Sequence, residues 1–230
     1  KLIGRFPTAF MIWNILGAAN SGLGKQDEAL TAFKKVTEFN PNYPDGYNNL
    51  GVTLIEQNKP DEAIAAYSKA LALKPDYAEA YNNLAIILQE CGRLEEAEAV
   101  CAQAITSKPD LVDAHYNLGN IFIDLGKLDA AETSYLSALK LEPKYVKAHN
   151  NLGKMFIQTG KLKKAEASLK NAIAFRPDYA EAYSNMGVAL RNQGKLDEAI
   201  EAYRKAISLR PHHAEAYNNM GIVLNEQGNF

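Results

Sequence analysis

Asparagines recur along this chain at a spacing that would present a row of carboxamides to a ligand. Six of them follow one another at intervals of 34 residues: Asn49, Asn83, Asn117, Asn151, Asn185 and Asn219. A carboxamide carries both a hydrogen-bond donor and an acceptor, so it can pair with a peptide N–H and C=O together. Carboxamides in such a row could engage a polypeptide backbone, provided that the fold repeats with the same period.

The prolines show that this period belongs to the whole chain. Seven are spaced by 34 residues: Pro7, Pro41, Pro75, Pro109, Pro143, Pro177 and Pro211. A fixed period of this length indicates one supersecondary unit stacked on copies of itself. Starting each repeat three residues after its proline gives a single array over 1–230, in which 1–9 end a preceding repeat. The full repeats are then 10–43, 44–77, 78–111, 112–145, 146–179 and 180–213, followed by a partial repeat, 214–230.

Each repeat is predicted to form two helices. Counting positions within a repeat as places, apolar residues at places 4, 7, 8 and 11 form one helical stripe, and those at places 20, 24 and 27 form a second. Place 15, between them, is suited to a left-handed turn in every repeat. Its occupants are Gly24, Asn58, Gly92, Gly126, Gly160, Gly194 and Gly228. Aspartates three places later are expected to cap the second helix or stabilise its dipole.

Composition excludes several classes of function. The net charge of −2 argues against general binding to nucleic acid, and no apolar run approaches the roughly 20 residues of a membrane span. Cys91 and Cys101 are interpreted as packing residues, a usage that suits a reducing compartment, so we expect a cytoplasmic protein. No catalytic constellation, metal-ligand spacing or phosphate-binding loop appears, so we expect no enzyme activity, metal or cofactor in this chain.

The places together resemble the tetratricopeptide repeat: an aromatic at 4, Leu-Gly at 7 and 8, Gly at 15, Ala at 20, an aromatic at 24, Ala at 27 and Pro at 32. The departures are His115 and His149 at place 4, expected to pack between helices, Cys101 and Leu169 at place 24, and Val36 at place 27. The resemblance implies an all-α solenoid, a right-handed superhelix whose first helices line a concave groove. The repeats resemble those of the O-GlcNAc transferase, which implies that the asparagines hold the backbone of an extended or disordered segment.

The expected groove face consists of places 2, 6, 9 and 13, and its charge changes along the array. Repeat 78–111 has two cations and six carboxylates, whereas repeat 146–179 has seven cations and two carboxylates. A basic patch is predicted around the latter, able to hold an acidic side chain, a phosphate or a C-terminal carboxylate. Its members are Lys147, Asn150, Asn151 and Lys154, with Asn117, Asn120 and Arg191 from adjacent repeats.

Alternatives remain open at this point. The asparagines would also be explained by hydrogen bonds to water or to an adjacent helix, and the lysines by solubility alone. Two classes of function fit the sequence: an interaction module that wraps an extended segment, and the substrate-recruiting arm of a larger glycosyltransferase or sulfotransferase. Self-association through exposed solenoid ends is a third. We expect the chain to be a fragment, so residues beyond Phe230 would separate the first two.

Overall fold

Helices make up most of the chain that the structure describes. The structure is a computed structural model that describes residues 9–228. Within this range the chain forms thirteen α-helices and no strand. Residues 1–8, which hold most of the expected repeat remnant, lie outside this range. The helices are Ala9–Gly22 (α1), Gln26–Phe39 (α2), Pro44–Glu56 (α3), Pro60–Leu73 (α4), Ala78–Glu90 (α5), Leu94–Ser107 (α6), Val112–Asp124 (α7), Leu128–Leu141 (α8), Val146–Gln158 (α9), Leu162–Phe175 (α10), Ala180–Asn192 (α11), Leu196–Leu209 (α12) and Ala214–Glu226 (α13).

The helices alternate between two kinds, as the apolar stripes predict. Odd-numbered helices are the first helices of the repeats and even-numbered ones are the second. From α3 to α13 the first helices begin every 34 residues and are 13 residues long, whereas each second helix has 14. The all-α solenoid class predicted from the sequence is confirmed. None of the helices in the range 9–228 has the length and apolar character needed to cross a membrane.

The turn within each repeat depends on a residue that tolerates a left-handed backbone. The six glycines at place 15 have φ between 69° and 77°, and Asn58 has φ 58°. This confirms the predicted role of place 15. Pro44 and Pro60 are the first residues of α3 and α4, where a missing N–H is harmless. The expected side-chain caps do not form: Asp27 and Asp61 lie in the first turns of α2 and α4 without capping, where their negative charge still favours the helix N-terminus.

The chain divides into two compact units, 1–125 and 126–230. In each, a second helix packs on its own first helix and on the first helix of the next repeat. First helices also contact each other directly: α3 with α5 and α5 with α7 in the first unit, and α9 with α11 and α11 with α13 in the second. This contact places equivalent residues of successive first helices side by side within a unit.

The core of each repeat is held by a small residue facing a large one. A Cβ added to Gly187, at place 8, would lie 2.5 Å from the Tyr203 ring at place 24, and Gly51 faces Tyr67 in the same way at 2.6 Å. In the third repeat the two sizes are closer, since place 8 holds Ala85 instead of glycine and place 24 holds Cys101 instead of an aromatic residue. The loss of the aromatic ring at that place is therefore matched by a larger residue opposite.

A carboxylate of the second unit connects α10 to the following repeat. Glu166 accepts hydrogen bonds from Lys170 at 2.7 Å, Gln193 at 2.9 Å and Lys195 at 3.1 Å. These donors lower the pKa of the Glu166 carboxyl from 4.5 to about 2. The charged form of this side chain is thus part of the contact between two repeats.

Candidate peptide-binding surface

We call the surface formed by places 2, 6, 9 and 13 of the first helices the first-helix face. In the first unit it is built on α3, α5 and α7, and in the second on α9, α11 and α13. The place-6 asparagines lie on it with half-buried side chains: Asn49, Asn83, Asn117, Asn151, Asn185 and Asn219. The helix-to-helix contacts within each unit therefore bring successive asparagines next to one another.

Most of these asparagines donate to the preceding repeat. Nδ2 of Asn83 lies 3.1 Å from Oδ1 of Asn48, and Nδ2 of Asn117 lies 2.9 Å from Oδ1 of Asn82. The same bond joins Asn49 to Asn14 at 3.2 Å and Asn185 to Asn150 at 2.9 Å. Each acceptor is at place 5, so we call these four bonds the asparagine ladder. The adjacent-helix alternative considered from the sequence is thus part of the structure.

The ladder leaves hydrogen-bonding capacity on its outer asparagines. A carboxamide has two N–H donors and an oxygen with two lone pairs, and each ladder bond uses one donor of the place-6 residue. The place-5 acceptors Asn48, Asn82 and Asn150 are buried, at 6–9% exposure, whereas the place-6 residues remain half-buried. The ladder therefore orients the place-6 carboxamides at the surface. The sequence shows asparagine at place 5 of several repeats, next to the place-6 asparagine. Its role as a hydrogen-bond acceptor could not be predicted, because that role depends on contact between two helices.

Two place-6 asparagines of the second unit, Asn151 and Asn219, do not follow the pattern of the ladder. Asn150 donates to Asn151, its neighbour along α9, at 3.3 Å. Asn219 has no side-chain hydrogen bond within residues 9–228, because place 5 of the preceding repeat is Ser184, whose shorter side chain is 2% exposed. The Ser184 hydroxyl oxygen is buried and has no hydrogen-bond partner among the residues that the structure describes. The ladder therefore stops before the last first helix.

The members of the predicted basic patch differ in their surroundings. Lys147 and Lys154 are exposed on α9 and form no ion pair in the chain from 9 to 228. Arg191 is already neutralised: its Nε lies 3.1 Å from each carboxylate oxygen of Glu226 on the next first helix. This pairing raises the pKa of the guanidinium and lowers that of the carboxyl. In the first unit, Asn120 is half-buried on α7.

The two histidines at place 4 contact backbone carbonyl oxygens. The ring nitrogen Nε2 of His115 lies 2.9 Å from the carbonyl oxygen of Pro109, and that of His149 lies 3.0 Å from the carbonyl oxygen of Pro143. Each histidine thus links a first helix to the turn before it. Over residues 9–228 no cluster of three or more His, Cys, Asp or Glu side chains is arranged for a metal ion.

The two cysteines differ in environment. Cys101 is fully buried, with its Sγ 3.2 Å from the carbonyl oxygen of Ala114, and burial raises the pKa of its thiol to about 12. Cys91 is exposed at the C-terminus of α5, so its interpretation as a packing residue was wrong. Both are free thiols.

Family comparisons decide the class of repeat. Models described as tetratricopeptide repeats match residues 180–213, 54–117 and 202–230, and one described as a TPR repeat matches 23–57, 119–159 and 153–194. The chain belongs to the tetratricopeptide repeat family. No curated protein gives a match. The family, and not the narrower resemblance to O-GlcNAc transferase repeats, is what these comparisons show.

Several solved structures are similar to this tetratricopeptide repeat chain. YrrB, a TPR protein with an unusual peptide-binding site, is 26% identical with a TM-score of 0.63, and the match covers 81% of this chain and 96% of YrrB. The protein TTC0263 from Thermus thermophilus is 25% identical with a TM-score of 0.65, covering 80% of this chain and all of the other (100%). PilW, a type IV pilus biogenesis factor, is 19% identical with a TM-score of 0.83, covering 91% and 97%, and shows the fold alone. The fold of this chain is that of a protein-interaction module.

Proposed function

We propose that the first-helix face binds an extended segment of a partner protein, with the place-6 asparagines holding its backbone. The observation that carries this proposal is the geometry of the ladder. Each ladder asparagine has one donor committed to a buried neighbour, while its oxygen and second donor stay on a half-buried surface. A carboxamide already fixed in this way has less conformational freedom to lose when a ligand binds.

The spacing of the asparagines suits an extended ligand. Neighbouring packed helices are about 8–10 Å apart, and an extended chain advances about 3.3 Å per residue. A ligand running across successive first helices would therefore meet one asparagine at about every third residue. Because the carboxamides pair with backbone groups, this part of the recognition is independent of the ligand's side chains.

The ladder by itself predicts weak binding. A hydrogen bond contributes about 0.5–1.5 kcal/mol net, and association costs about 4–15 kcal/mol in lost freedom of motion. Backbone contacts must therefore be supplemented by contacts to the ligand's side chains. The peptide-binding site of YrrB supports a ligand of this kind, since YrrB is also a tetratricopeptide repeat protein.

Charge adds a second contribution on α9. Lys147 and Lys154 are seven residues apart on one helix, exposed and without an ion pair in the described chain, so they would attract an acidic side chain of the ligand. Exchanging both for Glu should weaken binding of a ligand with one Asp near its centre and leave a neutral ligand unaffected. Fluorescence anisotropy with the two labelled ligands measures this, and equal loss for both ligands would remove the lysines from the site.

Binding by the asparagines is tested with two matched triple variants. Changing Asn83, Asn117 and Asn185 to Ala removes both the ladder bonds and the groups that face the ligand. Changing Asn48, Asn82 and Asn150 to Ala removes the same three ladder bonds but keeps the surface carboxamides. The probe is a fluorescein-labelled neutral peptide of about twelve residues, long enough to cross several first helices.

Affinity should fall at least about tenfold in the place-6 variant and less than about threefold in the place-5 variant, since three contacts at about 0.5–1.5 kcal/mol are lost only in the former. Circular dichroism checks that both variants stay helical. Equal affinities of the peptide for the wild type, the place-6 variant and the place-5 variant would refute the proposal. Because Met11, Ile12, Ile15 and Leu16 are exposed on α1, mass is also measured against concentration to identify any self-association.

A further inference from the structure

The first-helix face of the first unit contains a depression between α3 and α5. Its volume is about 190 Å³, and Val52 and Ile86, both at place 9, supply much of its apolar wall. Asn83, a donor of the ladder, lines the same depression. A backbone-binding carboxamide and an apolar cavity therefore occur together at one point of the face.

Two carboxylates flank this depression. Glu56 and Glu90 both line it from place 13 of consecutive repeats, and both are exposed. Neither has an ion pair or hydrogen bond within residues 9–228. Other carboxylates of this face are occupied, since Glu79 pairs with Lys108 at 3.0 Å. The two glutamates therefore remain available to a cation.

The inner wall of the depression is also apolar. Ile55 and Ile87 line it together with Tyr67, which is 2% exposed. Burial of apolar surface therefore favours an aliphatic side chain in the depression.

We infer that the depression binds an aliphatic side chain of an extended polypeptide that carries Lys or Arg on either side of it. This inference rests on the proposed function and specifies the ligand for the first unit. The aliphatic side chain would lie against Val52 and Ile86, and the two cations would pair with Glu56 and Glu90. The adjacent backbone would be held by Asn83.

Volume and spacing define the ligand further. A protein cavity of about 150 Å³ holds a benzene molecule, so a depression of about 190 Å³ has room for a leucine side chain. Glu56 and Glu90 are one repeat apart, which corresponds to about 8–10 Å between their helices, or about three residues of extended chain. The predicted motif is thus a basic residue, two residues of which one is aliphatic, and a second basic residue.

The charge of the surrounding face excludes the opposite ligand. Places 2, 6, 9 and 13 of the four repeats in the first unit contain six carboxylates and no Lys or Arg: Asp45, Glu56, Glu79, Glu90, Asp113 and Asp124. An acidic peptide would meet only like charges here, which disfavours binding. A basic and aliphatic segment is the ligand that fits both properties of the surface.

The test compares two labelled peptides of about twelve residues that differ only in their central four positions. The reference peptide is neutral and built from Gly, Ser, Ala and Thr, and the test peptide has Arg-Leu-Ser-Arg at its centre. Anisotropy titrations are made with the wild type, with Glu56→Gln combined with Glu90→Gln, and with Glu62→Gln combined with Glu95→Gln. The last pair removes the same charge from exposed positions on the second helices of the same two repeats.

We expect the test peptide to bind the wild type at least about tenfold more tightly than the reference peptide, because it adds two ion pairs and an apolar contact. The Glu56 and Glu90 variant should lose most of this preference, whereas the Glu62 and Glu95 variant should keep it. Ile86→Ser should lower affinity for the Leu peptide more than for a matched Ala peptide.

The inference would be overturned if the variant with Glu56 and Glu90 changed still preferred the test peptide to the reference peptide. It would also be overturned if the control variant, with Glu62 and Glu95 changed, lost the preference to the same extent. If the reference peptide binds and the test peptide binds no more tightly, the inference fails while the proposed function stands. If neither peptide binds at any concentration reached, both fail.

Discussion

The contact between glycine at place 8 and the large residue at place 24 makes a quantitative prediction about stability. In Gly187→Ala, the new Cβ would lie 2.5, 2.6 and 2.8 Å from three carbon atoms of the Tyr203 ring. Real Cβ atoms do not approach carbon so closely, and Tyr203 is fully enclosed. Overpacking of a core costs about 1–3 kcal/mol, and the better helix propensity of alanine offsets about 1 kcal/mol. We therefore expect a net loss of about 2 kcal/mol near the upper end of the overpacking range.

The matched control is Gly221→Ala, at the same place in α13. Among residues 9–228, and apart from the adjacent residues and backbone of α13 itself, no atom lies within 4 Å of a Cβ added there, so only the propensity gain of up to about 1 kcal/mol remains. Thermal unfolding followed by circular dichroism should show a lower melting temperature for Gly187→Ala, by about 4–8 °C at 2–4 °C per kcal/mol. The melting temperature of Gly221→Ala should be unchanged or higher. Equal stabilisation by both changes would refute the packing argument.

Three further predictions concern individual side chains. Ser184→Asn should restore the missing ladder bond to Asn219 and raise the free energy of unfolding by about 0.5–1.5 kcal/mol, measured by urea denaturation; no change would mean that serine is not the reason the ladder stops. A maleimide reagent at pH 7 should label Cys91 in the native protein and Cys101 only after unfolding, because burial raises the pKa of the latter thiol to about 12. Since the folded-state pKa of Glu166 is depressed, its stabilisation is present above about 4.5 and is lost as pH falls towards about 2. Glu166→Gln should therefore unfold with a smaller pH dependence in this window, and an unchanged dependence would contradict that assignment.

The repeat period and the local backbone could be predicted from the sequence because each depends on residues close together in the chain. The left-handed place 15 is an example: glycine, or asparagine at Asn58, is needed there whatever the helices pack against. The two-helix pattern follows from apolar spacing in the same way. Capping could not be predicted equally well, since Asp27 lies near a helix start but forms no capping bond.

Pairs of residues that compensate for each other were harder to predict because they meet only in the folded chain. Val36 departs from the alanine of place 27, and the structure shows why it is tolerated: it lies against Gly46, where a Cβ would come within 2.6 Å of its methyl group. Ala85 and Cys101 form a similar exchange of sizes. A sequence read repeat by repeat reveals each departure but not the residue opposite it.

The contacts of the place-6 asparagines could not be predicted from the sequence. The place-6 asparagines lie on one face of the first helices, as their spacing indicates, and four of them donate to place 5 of the repeat before. That bond requires two helices in register, which no local pattern encodes. The pairing of Arg191 with Glu226 depends on the same register, so the sequence could not show that its charge is already neutralised.

The most direct test of the proposed surface is a titration of isotope-labelled protein with the neutral peptide, followed by NMR of the asparagine side-chain amides. If the first-helix face holds a peptide backbone, the amide signals of Asn83, Asn117 and Asn185 should shift in proportion to the bound fraction. The signals of Asn48 and Asn82, which are buried behind them, should shift less. Shifts confined to residues on the second helices, with these amide signals unchanged at saturation, would contradict the proposal.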